Sequence, residues 1–314
     1  MKTTGVSTDD LSGVFAVPPL ARNGEKHFPI NFERNRKIAD HIAEGGITRF
    51  LYGGNAFLYH ISLSDYRDLL EWLSRLPDPW WVIPSAGPSF GRAMDQAPLL
   101  RQYEFPAVMM LPCSDPKTAE GLEQGLRLFA EAARTKLILY LKTEDSLGPD
   151  PEVGLDLLAR LVEDGICVAI KYAIPRPDPS QDSYLALAQQ KIDPGRIISG
   201  IGERPAVVHM RDWDMPGFTT GSGCVQPDLC RRLLEACLAG DYGKAESLRE
   251  VFMPLEDLRD AWNPAIVLHA AVALAGIADT GPVLPFLSKL DEQQTDELKE
   301  VARELVQAHK SPIS

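Results

Sequence analysis

Eight short apolar runs, GVFAVPP, TRFLYGG, WWVIPSAG, AVMMLPC, LILYLK, CVAIKYA, RIISGIG and GFTTGSG, recur along the chain roughly every 20 to 35 residues. Most end in Gly or Pro, and most are followed by a segment whose apolar residues return every three or four positions. SLSDYRDLLEWLSRL, TAEGLEQGLRLFAEAA, PEVGLDLLARLVEDG and DSYLALAQQ are examples, each with one face to bury against a sheet. A strand and a helix at this spacing make one βα unit, and eight in series fit a closed parallel (β/α)8 TIM barrel better than an open sheet. A doubly wound sheet would often carry a phosphate loop after an early strand, and neither GxGxxG nor GxxxxGK[ST] occurs.

From about Gln226 the pattern turns helical. PDLCRRLLEACLAG completes the eighth unit, while DYGKAESLREVFMPLEDLRDAW, NPAIVLHAAVALAG and DEQQTDELKEVARELVQAHK form an appended region. The expected organisation is an α/β chain with the barrel over residues 1–238, carrying the active site, and a C-terminal helical extension over 239–314 packed on it. The run EQQTDELKEVARELVQ, mixed in charge, is expected to be a solvated surface helix.

With 314 residues at 45% hydrophobic content, the chain can bury a large core. Its net charge of -12 leaves no basic excess to neutralise phosphates, so neither nucleic acid nor a membrane is an expected partner, and a small soluble ligand is. The longest apolar segment, AIVLHAAVALAGIA, is too short to span a bilayer. Asp9 and Asp10 stand where a secretory signal needs an apolar core, so a cytoplasmic location is expected. The five cysteines form no CxxC pair, and His27, His41, His60, His209, His269 and His309 show no HxH or HExxH spacing. No metal or other cofactor is expected.

Lys171 interrupts the sixth apolar run near its end. An unpaired ammonium there must reach water, find a partner or lose its proton, because burying it charged costs several kcal/mol. Side chains at the C-terminal ends of barrel strands point into the mouth where chemistry occurs. Ala169 and Ala173, two residues away on either side, leave space, and the apolar run removes water. Such surroundings lower an ammonium pKa toward about 7 to 8, where a useful fraction is a nucleophilic amine able to form a Schiff base.

Strand five ends in Tyr140 and Lys142, which alternation puts on one side. The phenol is a candidate proton carrier, and Lys142 a candidate carboxylate partner or a rival nucleophile. After strand two, Gly53, Gly54, Asn55 and Ala56 form a turn whose backbone N–H groups, with the Asn55 amide, are candidate carboxylate donors. The loops after strands seven and eight add Gly202, Glu203, Thr219 and Thr220 as rim contacts.

The order and spacing of GVFAVPPL, the GG loop followed by ISLSDY, ILY, IKYA, ISGIGE, GDYGKAESL and NPAIVLHAAVALAG resemble the dihydrodipicolinate synthase and N-acetylneuraminate lyase family of class I, Schiff-base aldolases and dehydratases. The likeness runs from Gly13 to about Gln307. It implies a (β/α)8 barrel with a helical extension, a homotetramer or dimer, and a lyase acting on pyruvate or a longer 2-oxo acid, sugar-acid derivatives among them. Lys171 then matches the lysine that condenses with the keto group, and Tyr140 the tyrosine that relays protons.

The departures are specific. Where the family usually has Gly-Thr-Thr-Gly-Glu, this chain reads Gly53, Gly54, Asn55, Ala56, Phe57. Pro112 is followed by Cys113 and Ser114 rather than two tyrosines, and Leu141, Lys142 and Thr143 replace an Asn-x-Pro segment. The lysine-biosynthetic synthase itself is therefore not expected. Two alternatives stand beside the lyase: a catalytically silent barrel that binds a 2-oxo acid, and a hydratase-aldolase for aromatic substrates with Phe57, Leu58 and Tyr59 lining an apolar mouth.

Overall fold

The computed structural model describes residues 1–308; His309 and the rest of the predicted C-terminal region lie outside the described residues. Each of the eight apolar runs forms a strand: β1 (Val14–Ala16), β2 (Arg49–Leu51), β3 in two segments (Trp81–Ile83 and Ser85–Ala86), β4 (Val108–Met110), β5 (Leu137–Leu141), β6 (Cys167–Tyr172), β7 (Ile197–Ser199) and β8 (Phe218–Thr220). Every ladder among them is parallel. β1 pairs with β2 and β8, and the order continues through β7, β6, β5 and β4 to β3.

The ring closes within β3. Its first segment pairs with β2 and its second with β4, and Pro84 stands between them. Proline has no N–H to give a ladder, so it belongs where a strand changes partner. Here Tyr52 N donates to the Ile83 carbonyl at 2.9 Å on one side, and Met109 N donates to the Pro84 carbonyl at 2.9 Å on the other.

The longest ladder, β5 with β6, carries an irregularity that sets the chemistry. Leu137 pairs with Cys167, but Ile138 pairs with Ala169, so Val168 is an extra residue. Its carbonyl accepts from Arg196 Nη1 at 3.1 Å. Such a bulge moves every later pair by one position. The result is Tyr140 opposite Lys171.

Helices follow the strands in turn. Asn31, Ser62, Thr118, Asp150 and Asp182 cap the helices Phe32–Glu44, Leu63–Ser74, Ala119–Ala133, Pro151–Glu163 and Ser183–Gln189 by accepting backbone N–H groups of the first turn. Each such cap contributes about 1 kcal/mol. One continuous hydrophobic core joins the strands to these helices and to the C-terminal ones.

The predicted segment DYGKAESLREVFMPLEDLRDAW is two helices, Tyr242–Glu250 and Met253–Ala261. Pro254 explains the break: it is tolerated in the first turn of a helix, where no intrahelical N–H is lost, and not in the interior. Helices Pro264–Leu274 and Glu292–Gln307 complete the chain. The last is not solvated all round as its charge pattern predicts, because Leu298, Ala302 and Leu305 form a buried stripe. Among the described residues, no helix is long and apolar enough to cross a membrane.

Candidate active site

A cavity of about 440 Å³ opens at the C-terminal ends of the strands and is lined by Lys171, Tyr140, Lys142, Gly54, Asn55, Gly202 and Thr219, among others. Lys171 is 6% exposed and takes part in no hydrogen bond or ion pair among the described residues. Its Nζ lies 4.0 Å from the centroid of the Tyr140 ring. Gly200, just after β7, leaves it room, since a Cβ there would stand 2.9 Å from Lys171 Cγ and 2.6 Å from the Tyr172 carbonyl.

Burial pushes the Lys171 ammonium down to about 7, with the charges of Arg259 and Lys142 adding to the effect. A large share of the side chain is therefore a free amine at neutral pH. Burial moves the Tyr140 phenol the other way, upward, against the opposing influence of Arg259. It stays protonated, so it is a proton donor at rest.

The structure divides the turn after β2. Gly54 and Asn55 line the cavity, whereas Gly53 and Ala56 do not. Gly53 packs so closely that a Cβ would meet Met109 Cε at 2.9 Å. Ala56 is buried and gives its N–H to the Gly53 carbonyl at 3.1 Å, so that donor is already used. The Asn55 amide donates to the Val17 carbonyl at 2.8 Å, which fixes the side chain and leaves one of its two N–H bonds.

Glu203, expected at the rim, is fully buried instead and does not line the cavity. It sits behind Thr220, a lining residue whose hydroxyl donates to Glu203 Oε1; Gly223 N donates to the same oxygen at 3.1 Å. Oε2 has no partner. Desolvation and the neighbouring Glu256 carboxylate hold the Glu203 pKa well above the ordinary range. Phe57 and Leu58 are also buried, with the Phe57 ring 5.6 Å from that of His269, so they do not form the apolar mouth expected for aromatic substrates. Tyr59 and His60 are exposed beside them.

Three charged lining residues escaped sequence reasoning: Glu256, Arg259 and Asp260, all on the helix Met253–Ala261. A signal was present. Glu256 and Arg259 stand next to Leu255 and Leu258 on the buried side of the helix, where a charged i,i+3 pair calls for an explanation. Among the described residues, no cluster of three His, Cys, Asp or Glu side chains could hold a metal ion.

No protein-family model matches the chain. It is 23% identical over 295 residues to the 4-hydroxy-tetrahydrodipicolinate synthase of Archaeoglobus fulgidus, spanning 92% of this chain and 97% of the relative. It is 27% identical over 209 residues to the protein of the same name from Methylobacterium radiotolerans, spanning 63% of this chain and 64% of the relative. The crystal structure of dihydrodipicolinate synthase from Oceanobacillus iheyensis superposes with a TM-score of 0.80 at 20% identity, over 94% of this chain and 97% of that one. That structural likeness extends over the barrel and the C-terminal helices together.

Proposed function

We propose that the chain is a divergent member of the dihydrodipicolinate synthase and N-acetylneuraminate lyase family, as its likeness to curated synthases supports, and a class I lyase that captures pyruvate or a longer 2-oxo acid as a Schiff base on Lys171. The observation that carries this reading is a buried amine, unpaired among the described residues, beside a protonated phenol in one cavity.

Neutral Lys171 Nζ attacks C2 of the oxo acid, and the ketone oxygen takes a proton to give a carbinolamine. Tyr140 then gives its proton to the departing hydroxyl, so that the carbinolamine becomes a protonated imine and water, and the phenolate left behind takes the proton released when the C3–H bond, or the O–H bond of a C4 hydroxyl in C3–C4 cleavage, breaks. The protonated imine draws electrons from C3. Breaking a C3–H bond or a C3–C4 bond gives an enamine, and expelling a β-hydroxyl from it gives a dehydrated product. Hydrolysis of the imine returns the free lysine.

The carboxylate meets the N–H groups of Gly54 and Asn55, which take no part in the turn's own hydrogen bonds. Gly202 and Thr219 also line the cavity, and Lys142 stands exposed at the rim. Asn55, Thr143, Thr219 and Asp260 in the lining carry groups that can meet hydroxyls, which suits a hydroxylated 2-oxo acid such as one derived from a sugar acid. The family resemblance adds a homo-oligomer, a tetramer or dimer, to this reading.

The test is borohydride reduction in the presence of pyruvate and of longer 2-oxo acids, followed by mass mapping. An adduct is expected on Lys171. Labelling of Lys142 instead would move the nucleophile, and absence of any adduct would favour a barrel that binds oxo acids without turning them over.

A further inference from the structure

Charged groups from outside the eight βα units occupy the space that glycines leave at the ends of β7 and β8. A Cβ on Gly221 would lie 2.4 Å from Arg259 Nη2, and one on Gly202 would lie 2.5 Å from Glu256 Oε2. Both charged residues come from the helix Met253–Ala261. Arg259 lines the same cavity as Lys171 and Tyr140 and is 8% exposed.

The donors of Arg259 are divided. Nη1 donates to Glu256 Oε1 and, at 3.4 Å, to Ser222 Oγ, while Nε donates to the Pro264 carbonyl at 3.3 Å. Nη2 donates to nothing among the described residues. A guanidinium gripped through Nε and Nη1 keeps the two N–H bonds of Nη2 as a preorganised fork of donors on one nitrogen, from which one bond reaches an oxygen of a carboxylate. The helix beginning at Pro264 packs on the turn Gly54–Ala56, so the fork and the free N–H groups of Gly54 and Asn55 belong to neighbouring parts of one wall.

The geometry points to Arg259 as the substrate-binding residue that holds the carboxylate of the 2-oxo acid, with Glu256, Ser222 and Gly221 as its positioning residues. This rests on the 2-oxo acid reading above and adds the charge that separates an acid from an uncharged ketone. The turn after β2 offers no hydroxyl, and Lys142 is exposed and screened by water. A buried guanidinium is screened far less.

The experiment compares wild type with Arg259→Gln and Gly221→Ala. Calorimetric titration measures pyruvate binding whether or not an imine forms, and borohydride trapping is run in parallel with pyruvate and with acetone, which lacks the carboxylate, both at about pH 9, where Lys171 is a free amine with or without the neighbouring Arg259 charge. Arg259→Gln is expected to weaken pyruvate binding by about 10- to 100-fold, the range for a hydrogen bond to a charged group, with acetone trapping changed by less than about threefold. Gly221→Ala displaces the fork without removing its charge and is expected to weaken pyruvate binding at least about fivefold, again sparing acetone.

Pyruvate binding within about threefold of wild type in Arg259→Gln overturns the assignment. So does an equal loss of pyruvate and acetone trapping, which marks a structural role. If Arg259→Gln does not fold by circular dichroism, Gly221→Ala decides alone. Pyruvate bound by wild type without an adduct defeats the Schiff-base reading and leaves the titrations to judge the fork, whereas no 2-oxo acid binding in wild type defeats both.

Discussion

Tyr140 stands directly opposite Lys171 across the β5–β6 ladder, and the bulge at Val168 is what puts it there. Had the pairing run on evenly from Leu137 and Cys167, Tyr140 would face Ile170, whose side chain points to the other side of the sheet. One extra residue thus places the phenol ring under the lysine nitrogen. Tyr140→Phe keeps the ring and the contact while removing the proton. Imine formation with pyruvate should fall by about 100- to 1000-fold, with thermal stability within about 1 kcal/mol of wild type. Timed cyanoborohydride trapping and a melting curve read the two quantities, and a variant that traps at the wild-type rate removes Tyr140 from the chemistry.

The pH profile of trapping follows from Lys171. Only the neutral amine attacks, and with its pKa held at about 7 the rate should fall roughly tenfold per pH unit below 6 and level off above 8. Lys142 contributes to the depression by its charge. Lys142→Met should therefore move the midpoint upward and lower the rate at pH 7. A profile whose midpoint stays above pH 9 in wild type would mean that the lysine is solvated rather than buried.

A buried amine should also weaken the fold. Between about pH 7 and pH 10.5 the unfolded chain binds a proton at Lys171 that the folded chain does not, so stability rises with pH across that window. Below it, the folded state carries the full penalty. Lys171→Met, similar in shape and uncharged, is expected to stabilise the protein by on the order of 3 kcal/mol at pH 7, a gain that shrinks toward pH 10. Denaturant titrations at the two pH values measure it. A destabilised variant at pH 7 would contradict the burial argument.

The eight strands and the turn to helices after Gln226 were legible because apolar runs and helical spacing repeat, and repetition survives in sequence. The bulge was not, because one inserted residue leaves the run Ile166 to Ile174 as apolar as before. The place of Glu203 was misread for a related reason: GIGERP gives no sign of which way its acid turns, and only the packing of Thr220, Gly223 and Cys230 around it takes it inward. Arg259 lay in a region read as an appendage. Its approach to the mouth depends on the break before Met253, and on glycines at 202 and 221 whose purpose appears only when both partners are in place.

Glu203 supplies the last prediction. Its carboxyl is fully buried, with one oxygen unpaired, and its pKa is raised by desolvation and by Glu256. Above the ordinary glutamate value of about 4.5 the unfolded chain releases this proton while the folded chain keeps it. The folded state then binds more protons, and stability falls as pH rises until the raised value is passed. Gln at this position imitates the protonated acid: its carbonyl can still accept from Thr220 and Gly223, and its amide replaces the unpaired oxygen. Glu203→Gln should melt close to wild type at pH 5 and several degrees higher at pH 8, for a gain on the order of 1 to 3 kcal/mol. Scanning calorimetry at the two pH values is the check, and lower stability of the variant at pH 8 would show that the carboxylate is satisfied in its ionised form.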